Sequence, residues 1–419
     1  MPDRADVYYF GAGPSALPTS VLEAAAISLV NHNGTGLSLV EQSHRSPLSA
    51  QILKDTCDSF LKLVQASPDT HTVLLMAGGG TLQFSAVVYN LYTAWTLKHA
   101  DRAAQGQRGA CEYLVTGGWS SKAAEEAKRL VGLQNVNVVF DSRDYNHKGE
   151  RKFGTIPNAD LWRKNLKPGK DSAFVYYCDN ETVDGVEWPK GSPIDVLAED
   201  PDRIIVADMS SNILSRTFDA SKFGVIFAGA QKNIGSTGVT IVLLRNDVLK
   251  TLSLGGKDSL PLNPPIPVTP VMMDYPTIAK AGSLYNTLPI FDVYIASLTL
   301  ARLLERDPTG ETALAKQEQE SGMKAGSLYT VLDNYPSLFH VVPARDVRSR
   351  MNICFRILPP GNESDFLRRA EQKGLLGLKG HRSVGGIRIS NYNAVPPTGV
   401  ASLVDFIVDY AKETLGPKL

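Results

Sequence analysis

Two stretches carry residues able to do covalent chemistry. In Gly229-Ala230-Gln231-Lys232-Asn233-Ile234-Gly235 a lysine sits on a turn flanked by small residues. It follows Val225-Ile226-Phe227-Ala228, a short apolar run bounded by glycines that reads as a buried strand. A lysine delivered this way can reach into a cleft. In a dry cleft, or beside a second cation, its ammonium loses the proton more readily and the amine becomes a nucleophile. The second stretch, Ile204-Ile205-Val206-Ala207-Asp208, reads as another buried strand and ends in a carboxylate, with Ser210-Ser211-Asn212 behind it. Taken singly, each has a plainer reading: a surface lysine on a turn, and an aspartate that caps a helix or a turn.

The pair means more than either residue. An α/β sheet binds its ligands beyond the carboxyl ends of its strands, so an acid and an amine at two strand ends can face one ligand. Pyridoxal 5'-phosphate requires such a pair. The amine condenses with its aldehyde, and the carboxylate keeps its pyridine nitrogen protonated so that the ring accepts electrons from a carbanion.

The elements that must position these residues can be read in order. Ser20 with Glu23 suggests a capping box for a helix through about Val30. Ser46 and Pro47 read as the N-cap and first position of a helix with Ile52, Leu53, Cys57, Phe60, Leu61 and Val64 on one face. Thr72–Met76 reads as a strand, followed by Gly78-Gly79-Gly80-Thr81 and a helix from Leu82 to about Tyr92. Strand, glycine loop and helix can offer backbone N–H groups to a phosphate. A plain tight turn fits as well, and no Lys-Ser or Lys-Thr completes a P-loop. Residues 98–109 read as a polar surface loop. Further strands are expected at Glu112–Val115, Val136–Phe140, Ala173–Cys178 and Val239–Leu244, with Gly117-Gly118-Trp119 opening a helix. The alternation predicts a mostly parallel sheet covered on both faces. Six prolines between Leu260 and Pro276 predict a non-helical linking segment. A helix over Phe291–Leu304 then leads to a smaller α+β part.

Composition excludes several classes. The chain has 419 residues, with 43 Lys+Arg balanced by 43 Asp+Glu, so nucleic acid is not the expected partner. Its four cysteines, Cys57, Cys111, Cys178 and Cys354, are scattered and read as reduced thiols, with no metal site. The start, Met1 to Asp6, carries acids and no apolar core, and no apolar run nears the roughly 20 residues of a membrane span. The expectation is a soluble cytoplasmic protein.

Seven motifs in order now make a family resemblance: Phe10-Gly11-Ala12-Gly13-Pro14, Ser43-His44-Arg45, Gly78-Gly79-Gly80, Asn180-Glu181-Thr182-Val183-Asp184-Gly185, Ala228 to Gly235, Tyr285-Asn286-Thr287, and Lys379-Gly380-His381-Arg382. From about Tyr8 to Tyr410 the chain resembles the phosphoserine aminotransferases, class V enzymes of fold-type I. The resemblance implies a large pyridoxal-phosphate domain over 18–295, and a small α+β domain from 1–17 and 296–419. It implies transfer of the amino group of L-glutamate to 3-phosphooxypyruvate, giving O-phospho-L-serine and 2-oxoglutarate in serine biosynthesis. It also implies a homodimer with shared sites.

By motif, Lys232 would hold the cofactor and move the substrate proton. Asp208 would pair with the pyridinium, Trp119 would stack on the ring, and Thr182 would bond the phenolic oxygen. Gly80, Thr81 and Gln231 would lie at the phosphate, with Asn286 and Thr287 lent by the neighbouring subunit. Arg388 is similar in position to the family's α-carboxylate arginine. His44, Arg45, His381 and Arg382 resemble the cluster for the distal anion. Thr81 stands where relatives often carry arginine, and Gly11 where serine is common. Another class V transaminase, such as the alanine–glyoxylate type, and a non-catalytic cofactor- or phosphate-binding protein are the rival readings.

Overall fold

Seven short apolar segments have both faces to bury, and they assemble into one sheet. The computed structural model of the chain describes residues 3–146, 151–254 and 268–416. The strands are β1 (His71–Met76), β2 (Ala110–Val115), β3 (Val136–Asp141), β4 (Ser172–Cys178), β5 (Ile205–Asp208), β6 (Val225–Gly229) and β7 (Thr240–Arg245). Their order across the sheet is β1-β7-β6-β5-β4-β2-β3. The pairings from β6 to β3 are parallel, while β7 runs antiparallel to both neighbours. Every residue of β4, β5 and β6 is buried, as a sheet with helices on both faces demands.

The helices divide between the two faces. α1 (Thr19–Val30) and α2 (Pro47–Leu63) precede the sheet, α3 (Gly79–Lys98) follows β1, and α4 (Gly118–Val131) follows β2. α5 (Ile290–Leu304) packs along α2 and α1. One core gathers α2, α5 and one sheet face; a second gathers α3, α4 and the other. α5 runs through residue 295, and Leu300, Leu303 and Leu314 pack into the large unit's core.

A separate core forms the smaller unit. It contains the antiparallel strands β8 (Phe339–Val341), β9 (Asn352–Ile357) and β10 (Ile387–Ser390), with α6 (Ala313–Asn334) and α7 (Pro397–Leu415) against them. Phe10 is buried in that core, and Tyr8–Tyr9 pairs with Leu375–Leu376, so the N-terminal segment belongs here.

Four local expectations are corrected. The Ser20/Glu23 capping box does not form, because the helix begins two residues earlier and Pro18 holds the N-cap position. The helix after β1 extends to Lys98, since its middle is buried and polar Asn90 and Thr96 find backbone partners within it. Residues 100–104 form a further helical turn instead of loop. Pro276 occupies the first turn of a helix over Tyr275–Lys280, where a missing N–H costs nothing. The prolines of 261–267 lie outside the described residues.

The two units meet through polar contacts. Asn180, fully buried, donates through Nδ2 to Ser211 Oγ at 2.7 Å and to Asn352 Oδ1 at 2.8 Å, and accepts from Ser349 Oγ at 2.5 Å. Beside it Arg350 pairs with Glu187 at 2.7 Å and Arg216 with Asp179 at 2.7 Å. Burial pushes Glu187 up, but Arg350 and Arg216 outweigh it and hold the carboxyl below its ordinary value. Asn180→Ala removes three buried side-chain hydrogen bonds and is expected to cost roughly 2–4 kcal/mol, read as a lowered urea midpoint at unchanged slope. An unchanged midpoint contradicts this account of the interface.

Candidate active site

Adjacent parallel strands bring the acid and the amine to one edge. β5 and β6 pair with Asp208 opposite Phe227, so Lys232 emerges just beyond the same end of the sheet. Its turn is closed by the Gly235 N–H donating to Ala230 O at 2.7 Å. A side chain at Gly13 would lie 3.5 Å from Lys232 Cγ, so the N-terminal segment runs directly across the lysine stem. Ser15 holds that segment in place. Its N–H donates to Gln231 O at 2.9 Å and its hydroxyl to Lys232 O at 2.5 Å.

Lys232 is buried, and its Nζ donates to Thr182 Oγ1 at 2.8 Å. Burial lowers the ammonium from 10.5 to about 8; Asp208 pulls the other way, and Arg388 adds to the depression. Asp208 is buried too, and burial raises its carboxyl above the usual range against the bonds from Ser210. The Ser210 N–H donates to Oδ1 at 2.9 Å, while Tyr176 reaches Oδ2 only at 3.4 Å. That acceptor set has capacity for one more donor.

Gly80 stands beside this carboxylate. A side chain there would lie 3.7 Å from Asp208 Oδ2 and from Ser210 Oγ. Gly78 and Gly79 have φ of +94° and +64°, which turns the chain sharply from β1 into α3. The first turn of α3 therefore has its unpaired N–H groups close to Asp208. Thr81 in that turn is exposed.

Cations line the opposite side. Arg388 on β10 donates to Thr182 O at 3.4 Å. His381 is held below its ordinary value by burial, then by Arg388, Arg382 and Lys122. Lys122 comes from α4, where its Nζ lies 4.5 Å from the centre of the Trp119 ring. The Trp119 indole Nε1 is buried with no hydrogen-bond partner among the described residues.

The structure thus brings together Lys232, Asp208, Thr182, Gly80 and Arg388, with His381 and Arg382 facing Arg388. No described contact joins His44, Arg45, Asn286 or Thr287 to this group. His44 and Arg45 lie in the loop that enters α2, and Asn286 and Thr287 in the segment entering α5. α2 and α5 pack together, so both pairs flank one helix pair. Sequence reading missed Lys122, Tyr176 and Ser210. The three-residue spacing from Trp119 to Lys122 along a helix was the available signal for the first.

This donor set fits pyridoxal phosphate. It contains a depressed amine, a buried carboxylate with spare acceptor capacity, a hydroxyl beside the amine, and a helix N-terminus by the carboxylate. A non-catalytic phosphate site has no use for the buried amine.

The sequence matches the family "Aminotransferase class-V" over residues 7–403. It is 43% identical to phosphoserine aminotransferase of Saccharomyces cerevisiae over 98% of this chain and 99% of that one. Among solved structures, the fold is similar to phosphoserine aminotransferase from Bacillus circulans subsp. alkalophilus, with TM-score 0.79, 33% identity, and coverage of 97% and 99%. It is also similar to pyridoxal-phosphate-bound phosphoserine aminotransferase from Trichomonas vaginalis, with TM-score 0.77, 34% identity, and coverage of 96% and 99%.

A depressed amine has a kinetic signature. Reaction of Lys232 with a small aldehyde, trapped by borohydride and read by peptide mass, is expected to rise with pH through about 8 and then level off. A rise that continues to 10.5 marks an ordinary lysine and contradicts the burial account.

Proposed function

We propose, for a chain that belongs to the class-V aminotransferases and within them to the phosphoserine aminotransferases, that Lys232 and Asp208 grip one pyridoxal phosphate between them. The enzyme transfers the amino group of L-glutamate to 3-phosphooxypyruvate, forming 2-oxoglutarate and O-phospho-L-serine. The observation that carries the site reading is the buried acid at the end of β5 and the buried amine just beyond the neighbouring parallel β6, each moving the other's proton affinity.

When bound, the cofactor supplies an electron sink for the carbanion at the substrate α-carbon. The protein does the rest. Asp208 would hold the proton of the ring nitrogen through its spare acceptor capacity. Thr182 steadies the Lys232 Nζ, and Lys232, half neutral near pH 8, would take the proton from the substrate α-carbon and hold it at Nζ. Arg388 binds the α-carboxylate; His381, Arg382 and Lys122 meet the distal phosphate or carboxylate. Gly79, Gly80 and Thr81, at the start of α3, would offer N–H groups to the cofactor phosphate.

A homodimer completes this reading. His44, Arg45, Asn286 and Thr287 adjoin the α2/α5 pair, and α1 against α5 leaves Ile27 and Val30 exposed at 68% and 76%. Large exposed apolar side chains beside unassembled polar ones suit a surface covered by a second copy.

Lys232→Ala is expected to abolish turnover while the unfolding transition persists; sustained turnover refutes the assignment. Arg382→Ala is expected to raise KM for 3-phosphooxypyruvate roughly tenfold while sparing an unphosphorylated keto acid. Equal effects on both substrates remove Arg382 from the phosphate cluster. If sites are shared, mixing the Lys232→Ala protein with an Asn286→Ala/Thr287→Ala protein under subunit exchange restores activity that neither has alone. No recovery despite exchange contradicts the sharing.

A further inference from the structure

The motif Asn180 to Gly185 contains two acids that the reaction above does not use. Glu181 is fully buried, directly before the threonine that holds Lys232. Its Oε2 accepts the Trp119 N–H at 2.9 Å. Its Oε1 accepts the Ser120 N–H at 2.9 Å and the Ser120 hydroxyl at 2.5 Å. Asp184 accepts the preceding N–H, that of Gly118, at 3.1 Å. Three consecutive donors of the first turn of α4 are therefore taken by one short segment 61 to 66 residues away in the chain.

The contact needs a glycine. A side chain at Gly117 would stand 2.4 Å from Glu181 Cδ, so only a residue without one admits the carboxylate. The same segment is tied on its other side. Thr182 Oγ1 meets the Lys232 Nζ, Thr182 O accepts from Arg388, and the Gly185 N–H closes the turn onto Glu181 O at 2.9 Å. Two adjacent residues thus touch the helix start that carries Trp119, the amine and the carboxylate-binding arginine.

We propose that Glu181 is a positioning residue for the cofactor ring: it clamps the start of α4 so that the Trp119 indole stands at a set height over the ring that Lys232 holds. This inference rests on the transaminase reading. The clamp acts through the backbone of Trp119 and Ser120, and a carboxylate suits it because one group with two oxygens accepts three donors at a helix N-terminus. Glu181 is fully buried, and burial and then Asp184 push its carboxyl up to about 7.

The test is a double-mutant cycle on cofactor affinity, not on turnover. Cofactor-stripped protein is titrated with pyridoxal phosphate and binding is read from the visible absorbance band. Glu181→Gln is made alone and with Trp119→Ala. The amide can accept from one helix N–H but not serve all three donors, so Glu181→Gln is expected to weaken binding about tenfold with Trp119 present. In the Trp119→Ala background it is expected to change binding less than about twofold. Glu112→Gln, which alters another fully buried carboxylate remote from α4's start, is expected to leave affinity unchanged. An equal loss from Glu181→Gln in both backgrounds, no loss in either, or the same loss from Glu112→Gln overturns the proposal. Absence of any visible band in the unsubstituted protein removes the cofactor reading itself, a different failure.

Discussion

Exclusion of water from the Lys232 amine is the constraint on which the rest of the site depends. Burial is the largest influence on its proton affinity and exceeds the opposing pull of Asp208. Had attraction won, the lysine would remain an ammonium and could neither condense nor accept a proton near neutrality. The sign of the stability effect follows. The folded value lies below the unfolded one, so the penalty is complete below about pH 8 and fades as pH rises toward 10.5. Its size is on the order of 3 kcal/mol, which the large cores must offset. Stability is given up where chemistry is done.

The fold meets that constraint with strand geometry. Two neighbouring parallel strands end side by side, which places the acid at the end of one and the amine just past the end of the other without any long loop. β7 then runs back antiparallel and seals β6 from the other side. The segment through Gly13 covers the lysine stem, and Ser15 pins it to the backbone of Gln231 and Lys232. The smaller unit supplies Arg388 from β10, and the Asn180 network fixes how that unit docks. Polar docking of this kind specifies one orientation, because sliding by a residue would leave buried donors and acceptors unmatched.

How much of this was legible in the sequence depends on distance along the chain. The strands could be read because buried parallel strands are short apolar runs, and Lys232 and Asp208 could be read because each lies at the end of one. Gly117-Gly118-Trp119 announced a helix start for the same local reason. What could not be read is long-range. Nothing near Tyr176 says that its hydroxyl faces Asp208, and nothing near Glu181 says that its partners are 61 residues earlier. Local rules also lost where tertiary packing chose otherwise. Ser20 and Glu23 satisfy a capping pattern, yet the helix starts at Thr19 because Leu17 and Val21 are drawn into a cluster with Ile295 on α5. The polar run at 98–109 contains a helical turn because Ala103 is buried and Arg102 reaches Asp171.

The arrangement also couples binding to reactivity. Arg388 and Lys232 both touch Thr182, and the arginine's charge is one reason the amine is depressed. A substrate carboxylate bound to Arg388, as proposed, would neutralise that charge. The depression of Lys232 is then partly relieved, and the amine becomes a stronger base at the moment when a proton must leave the neighbouring α-carbon. Without substrate, the same arginine adds to the larger effect of burial in lowering the amine's proton affinity. One cation thus serves two opposite needs, and it does so because a single threonine, presented by the turn that Glu181 anchors, holds the arginine and the lysine within reach of each other.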